Sequence, residues 1–223
     1  MAGVAMKIFE NRRAAGVELG VRLRQIRFAS RPIVLALPRG GVPVGAEVAE
    51  AVNAELDVIA VRKLGVPGQP EFAMGAISWN GASYLNREVI EALGISDREL
   101  QSARARESIE LERRNAAYRG AQRGYSLNDK TVILVDDGMA TGATMLAAIA
   151  AVKQLHAREI VVAVPVAPPD LRVKFEQVAD RYLCIHEPSN FGSVGQFYEY
   201  FEQVEDEAVL ATLAHFRSKS SIH

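Results

Sequence analysis

The sequence predicts an α/β protein: a central parallel sheet flanked by helices, with a flexible loop or hairpin insertion. Three observations carry this. Short β-rich runs at Ile33 to Leu37, Leu56 to Val61, Val132 to Val135, Glu159 to Val164 and Tyr182 to Ile185 are continuously apolar rather than alternating, which marks strands covered on both faces. Helical patterns lie between them. The chain of 223 residues, 49% hydrophobic and 24% charged, is long enough to bury one continuous core.

Taken in order, the first run leads into Pro43 to Asn53, where Val44, Val48, Ala51 and Val52 share one helical face. After the second run, Arg62 to Gly81 breaks the rhythm with Gly65, Pro67, Gly68, Pro70, Gly75 and Gly81. That stretch reads as a long loop or a hairpin, and loops of such length inside a domain are usually functional. Ser96 with Glu99 forms a capping box, and Arg98 to Arg119 then continues without Pro or Gly, predicting a long helix. The third run precedes Thr144 to Leu155, dominated by Ala, Met, Leu and Ile. With no repeat, low-complexity tract or clear linker, residues 1–223 are expected to be one domain, with its core at about 30–186 and a carboxyl-terminal hood and helices at about 187–223.

Composition removes several function classes. No run reaches the roughly 18–20 apolar residues of a membrane span, and the start lacks the apolar region of a secretion signal; a cytoplasmic protein without a membrane partner is expected. Cys184 is the only cysteine, which excludes an internal disulfide framework and a Cys-based zinc site. The four histidines, at 156, 186, 215 and 223, lack metal-ligand spacing. A formal net charge of -1 disfavours nucleic acid as a partner. Charge is segregated all the same: residues 101–124 carry six arginines against three glutamates, and Glu199, Glu202, Glu205, Asp206 and Glu207 answer them. The plain reading of both stretches is a solvated helix face.

The chemistry concentrates in Val132-Ile-Leu-Val-Asp-Asp-Gly-Met-Ala-Thr-Gly-Ala-Thr144. A buried strand delivers Asp136 and Asp137 beyond its carboxyl end, where open parallel sheets bind ligands. Gly138, Met139, Ala140, Thr141, Gly142, Ala143 and Thr144 then lead into a helix, whose N–H groups and positive end can cradle a phosphate. Carboxylates accept hydrogen bonds from sugar hydroxyls, so the segment reads as a sugar-phosphate site. Nucleotide P-loop, dinucleotide-fold and hydrolase nucleophile motifs are absent from the sequence. An acidic pair at a strand end also occurs in phosphoacceptor receiver domains, but here it precedes a Thr-Gly-Ala-Thr loop deep in the chain.

This pattern closely resembles the 5-phosphoribosyl-1-pyrophosphate (PRPP) binding motif of the type I phosphoribosyltransferases. The resemblance implies that fold, with a small hood, and transfer of 5-phosphoribosyl from PRPP to a nucleobase-like nitrogen acceptor, with pyrophosphate released. Asp136 and Asp137 would hold the ribose hydroxyls, and Ala140 to Thr144 the 5'-phosphate. Upstream, Leu37-Pro-Arg-Gly-Gly-Val-Pro-Val-Gly45 matches the family's pyrophosphate turn, with Arg39 supplying charge and Gly40 and Gly41 letting the backbone approach the anion. Val61-Arg-Lys-Leu-Gly-Val-Pro-Gly-Gln-Pro-Glu-Phe-Ala-Met-Gly75 stands where the family has a flexible catalytic loop. Lys63 is its candidate pyrophosphate contact and Glu71 its candidate contact for the base or leaving group. Phe191, Val194 and Tyr198 are candidate walls of an acceptor pocket, and Phe72, Trp79 and Tyr84 are aromatics that suit either base stacking or core packing. Mg2+ is the implied cofactor, held mainly by PRPP oxygens, and many family members are dimers. Ala140 occupies the position where hypoxanthine-guanine enzymes carry an Asp, which argues mildly against an oxopurine acceptor. The competing reading is a non-catalytic PRPP or nucleotide sensor on the same fold, with the Arg104 to Arg123 stretch available for RNA.

Overall fold

The computed structural model describes residues 9–119 and 127–220. Five parallel strands form the central sheet: β1 (Pro32–Ala36), β2 (Glu55–Val58), β6 (Thr131–Val135), β7 (Glu159–Val166) and β8 (Arg181–His186), ordered β2-β1-β6-β7-β8. Register runs Val34 to Leu56 on one side of β1 and Val34 to Ile133 on the other. All five residues of β6 are buried, which is why its sequence shows no alternation. Val132 and Leu134 enter the core on one face of the sheet, whereas Ile133 and Val135 enter that on the other.

The first face is covered by α5 (Ala143–Gln154) and α6 (Leu171–Val178), through residues such as Met145, Ile149 and Phe175. The second is covered by α1 (Arg12–Leu23), α2 (Gly41–Val52) and α7 (Asp206–Ser220), through Leu19, Leu23, Val44, Val48, Leu213 and Phe216. The helices α1 and α2 approach closely because α1 carries glycines where they meet. A Cβ on Gly16 would lie 2.8 Å from the Val44 carbonyl oxygen, and one on Gly20 would lie 2.6 Å from Ala51 Cβ.

The apolar run expected as one strand from Leu56 to Val61 divides. Glu55–Val58 pairs with β1, while Val61 begins β3 (Val61–Val66) of a second sheet completed by β4 (Gln69–Ser78) and β5 (Ser83–Leu85). All pairings in this second sheet are antiparallel, in the order β3-β4-β5. The Arg62 to Gly81 stretch is therefore a hairpin, and its Gly and Pro residues have definite places. Gly68 turns with φ +78°, and a Cβ on Gly65 would lie 2.5 Å from the Pro70 carbonyl oxygen, beside the irregular register at Leu64 and Gly65. Behind it run α3 (Arg87–Ala92) and the long α4 (Asp97–Arg119). The capping box forms: Ser96 N–H and Oγ donate to Glu99 Oε2 at 2.9 and 2.6 Å, and Glu99 N–H donates to Ser96 Oγ at 3.3 Å. This antiparallel sheet, formed by the hairpin insertion rather than by the carboxyl-terminal segment expected to carry it, is the hood of this fold. The segment after β8 contains a short 3-10 turn at Val194–Phe197 before α7 packs on the α2 side of the sheet.

Candidate functional site

The strand order places a crevice between β1 and β6. The crossover through α2 leaves β1 toward β2, whereas the crossover through α5 leaves β6 toward β7, on the opposite face. Chains that depart in opposite directions from adjacent parallel strands open a gap at their carboxyl ends, the usual ligand position in such sheets. Its two walls are the turns singled out in the sequence, Leu37 to Gly41 after β1 and Asp136 to Thr144 after β6.

The first turn is pressed against the second. Leu37 N–H donates to the Val135 carbonyl at 2.8 Å, and the peptide between Pro38 and Arg39 is cis. A Cβ on Gly41 would sit 2.8 Å from the Val135 oxygen and 3.0 Å from Asp136 Cα, and one on Gly40 would collide with the Asp137 carboxylate. Both glycines are thus required by close approach of the two turns.

After β6, the Asp136 carboxylate accepts from Asp137 N–H at 2.8 Å. Burial and the neighbouring Asp137 charge raise the Asp136 pKa well above the usual carboxylate range. Burial also raises that of Asp137, against the pull of Arg12. The next residues are anchored from behind: Met139 N–H donates to the Val166 carbonyl at 2.9 Å, and a Cβ on Gly138 would meet Val194 at 2.6 Å. Gly142 caps α5 with φ +71°, and the Phe175 ring would lie 2.7 Å from any Cβ there. Because Gly142 offers no capping side chain, the first-turn N–H groups of α5 remain suited to an anion. The Thr141 hydroxyl is exposed and accepts from Ala143 N–H at 3.4 Å, and Thr144 lines a cleft below the hood.

Arg12 is the residue that sequence reasoning missed. Asn11 caps α1 by accepting from Ala14 N–H at 2.9 Å, and Arg12, in the first turn, donates from Nε to Asp137 Oδ2 at 2.6 Å. Its Nη1 donates to the Glu202 carbonyl at 2.7 Å, and its guanidinium lies 3.8 Å from the centre of the Phe201 ring. Arg12 and Asp137 expose only 12% and 14% of their side chains, so this is a desolvated ion pair rather than a surface contact. The available signals were the Asn11 cap and the spacing of Gly16 and Gly20, which together mark a helix that packs closely.

The other expected site residues fall in three places. Arg39 extends toward the start of α7, with Nη1 at 3.3 Å from Glu205 Oε2 and 3.7 Å from Asp206 Oδ1. Lys63, on β3, lines a cleft of about 560 Å³ that also includes Pro38 and Thr144. The Glu71 side chain lies outside what the structure describes, although its backbone belongs to β4. Phe191, Val194 and Tyr198 gather behind the Asp137–Gly138 turn. Tyr198 Oη donates to the Asp137 carbonyl at 2.6 Å, and Phe191 packs on Phe197 with ring centres 5.4 Å apart. Of the aromatics near the hairpin, Trp79 and Tyr84 pack against the core while Phe72 is exposed.

Comparison with known proteins agrees with this fold. The family model of the phosphoribosyl transferase domain matches residues 21–202, spanning both turns, the hood and every strand. The chain belongs to the phosphoribosyl transferase family. It is 41% identical over 208 residues to the protein named "Putative phosphoribosyl transferase Rv0571c" of Mycobacterium tuberculosis (strain ATCC 25618 / H37Rv), which covers 93% of this chain and 47% of that protein. The chain thus spans about half the length of the curated relatives it matches. Among solved structures, TT1426 from Thermus thermophilus is similar with a TM-score of 0.79 and 40% identity, covering 94% of this chain and 99% of that one. The AQ2163 protein from Aquifex aeolicus shares the fold at a TM-score of 0.50 and 13% identity, covering 82% and 78% of the two chains. In this member of the family, no helix among the described residues is long and apolar enough to cross a membrane.

Proposed function

We propose that the protein transfers the 5-phosphoribosyl group of PRPP to a nitrogen of a nucleobase-like acceptor. The bond from C1 of the ribose to the pyrophosphate oxygen breaks, a bond from C1 to the acceptor nitrogen forms, and the acceptor's proton leaves to solvent or to a base. The observation that carries this reading is the crevice itself, where two adjacent carboxylates and an uncapped helix N-terminus share one loop facing a glycine turn. Carboxylates suit ribose hydroxyls, the start of α5 suits the 5'-phosphate, and the Arg39–Gly41 turn suits the leaving group.

Positive charge develops on the ribose ring as the bond to pyrophosphate lengthens, and negative charge gathers on the departing oxygens. Catalysis then requires fixed donors and a held ring more than a strong nucleophile. Asp136 and Asp137 orient the ring; Arg12 and Tyr198 hold Asp137 in place from its carboxylate and its carbonyl. Among the described residues no group of three or more His, Cys, Asp or Glu is placed to hold a metal. A pair of carboxylates beside a phosphate loop nevertheless fits Mg2+, an ion that keeps most of its oxygens from substrate phosphates and water. Asp136 and Asp137 would supply the protein's share, and the bound ion would neutralise charge on the leaving group. The hood, standing over the same crevice, is suited to excluding water and so sparing PRPP from hydrolysis. Cytoplasmic operation accords with the buried free thiol of Cys184.

Release of pyrophosphate from Mg-PRPP across a panel of nitrogen bases tests the proposal against the sensor alternative. Saturable release with one base is expected. Tight PRPP binding with no release on any base would replace the transferase reading with the sensor.

A further inference from the structure

Two stretches far apart in the sequence, residues 9–12 and 197–202, run side by side behind Asp137. Phe9 N–H donates to the Phe197 carbonyl at 2.7 Å, and Glu199 and Tyr200 N–H donate to the Phe9 and Glu10 carbonyls, each at 2.9 Å. Phe9, Phe197 and Tyr198 are buried together with Val166, whose carbonyl anchors the Met139 N–H. The paired stretches form a strap, and both of them reach Asp137. Tyr198 Oη donates to its carbonyl at 2.6 Å, and Arg12 Nε donates to its carboxylate at 2.6 Å. Arg12 is in turn clamped by the second stretch: Nη1 donates to the Glu202 carbonyl at 2.7 Å, and the guanidinium lies 3.8 Å from the centre of the Phe201 ring. A Cβ on Gly40 would lie 3.2 Å from Arg12 Nε, so Arg12 stands behind the turn after β1, with 12% of its side chain exposed. The neighbouring Arg13 points elsewhere, pairing with Glu47 at 2.8 Å with 79% of its side chain exposed.

We infer that this strap controls the ribose site from outside it, with Arg12 as the positioning residue that sets the Asp137 carboxylate for the sugar and Phe201 as the support that sets Arg12. The inference rests on the assignment of the acidic pair to ribose, and it adds residues outside both sequence motifs that act without touching the substrate. A carboxylate on a loop turns about two side-chain bonds, and a ribose hydroxyl meets a fixed acceptor only where that rotation is stopped before the ligand arrives. Arg12 stops it at Oδ2 of Asp137, and the planar guanidinium is itself immobilised by the Phe201 ring and the Glu202 carbonyl. The peptide of Asp137 is fixed by the same strap through Tyr198, so backbone and side chain share one support. A lysine at position 12 would keep the charge but lacks the planar fork that holds Asp137 and Glu202 together.

Calorimetric titration of ribose 5-phosphate, Mg-PRPP and Mg-pyrophosphate into the full chain tests this, comparing the wild type with Arg12→Gln, Arg12→Lys, Phe201→Leu and the control Arg13→Gln. Both Arg12 variants should weaken the two ribose ligands about tenfold, the scale of one lost hydrogen bond between charged groups. Mg-pyrophosphate, which carries no sugar, should bind them as it binds the wild type. Phe201→Leu should shift the same two ligands in the same direction by about threefold, the scale of a lost cation–π contact. It keeps an apolar side chain where 37% of the residue is exposed, so it carries the test if the Arg12 variants fail to fold. Arg13→Gln should bind all three ligands as the wild type does. A merely structural role would weaken every ligand alike. Wild-type affinity for ribose 5-phosphate in Arg12→Lys or in Phe201→Leu, or an equal loss of Mg-pyrophosphate, overturns the strap assignment and leaves the transferase reading standing. If the wild-type chain binds neither PRPP nor ribose 5-phosphate, the transferase reading itself falls, and the inference with it.

Discussion

Asp136 is protonated more readily in the folded protein than in the unfolded chain, because burial and the adjacent Asp137 both disfavour its charge. The native state therefore binds the extra proton, and the sign of the pH effect follows. Stability from this group is fully present below the ordinary carboxylate pKa and declines as pH rises from there through the raised native value. Asp136→Asn removes the penalty: thermal unfolding at neutral pH should occur a few degrees higher than in the wild type, and the difference should vanish below about pH 4. An equal or lower melting temperature at neutral pH would show that the carboxylate is not held at such a cost. A buried carboxylate whose charge disfavours the fold is a candidate for ligand binding, and a ribose hydroxyl donating to Asp136 would offset the cost. Burial raises the pKa of Asp137 as well, but Arg12 is bound to it and offsets part of the cost of its charge. Both carboxylates were legible in the sequence as a pair at a strand end. Their inequality was not, because it arises from Arg12, which lies 125 positions away in the chain.

At the scale of elements, five strands and three helices announce themselves through apolar continuity and periodicity, since burial on both faces leaves a local signature. The hood did not. Its strands are interrupted by Gly65, Pro67, Gly68 and Pro70, residues placed by a turn and an irregular register, so the alternation that would mark a hairpin is broken where the sheet bends. The division of Leu56 to Val61 between two sheets was equally hidden, because Ile59 and Ala60 are buried in the passage between them. The helix α1 escaped for a different reason: its packing face is made of glycines and Leu19, a weak apolar stripe that gains its meaning only against α2. Gly16→Ala tests that contact. The new methyl meets the Val44 carbonyl oxygen at 2.8 Å and Glu47 Cβ at 2.9 Å; overpacking should exceed the gain in helix propensity and cost about 1–2 kcal/mol, or roughly 2–8 °C in Tm. A melting temperature at or above the wild-type value would show that α1 is free to move away from α2.

Over the whole molecule, a formal charge of -1 hides a sharp local arrangement. Anionic groups lie at the end of β6, cations line the cleft beneath the hood, and the acids at the start of α7 meet Arg39. Fold class and the phosphosugar half of the crevice were readable because each depends on contiguous residues. The cleft beneath the hood brings α4 against the hairpin across intervening chain, a juxtaposition that no contiguous stretch of sequence encodes. The transfer reaction unites these parts, and steady-state pyrophosphate release from Mg-PRPP with the accepted base, compared between the wild type and Asp136→Asn, tests it most directly. Asn matches Asp in size and the variant is expected to melt no lower than the wild type, so loss of turnover at an unlowered melting temperature reports on chemistry: release should fall at least about 100-fold, the scale of losing one preorganised transition-state contact. Release by Asp136→Asn at the wild-type rate would contradict the assignment of the acidic pair to the ribose and, with it, the proposed reaction at this crevice.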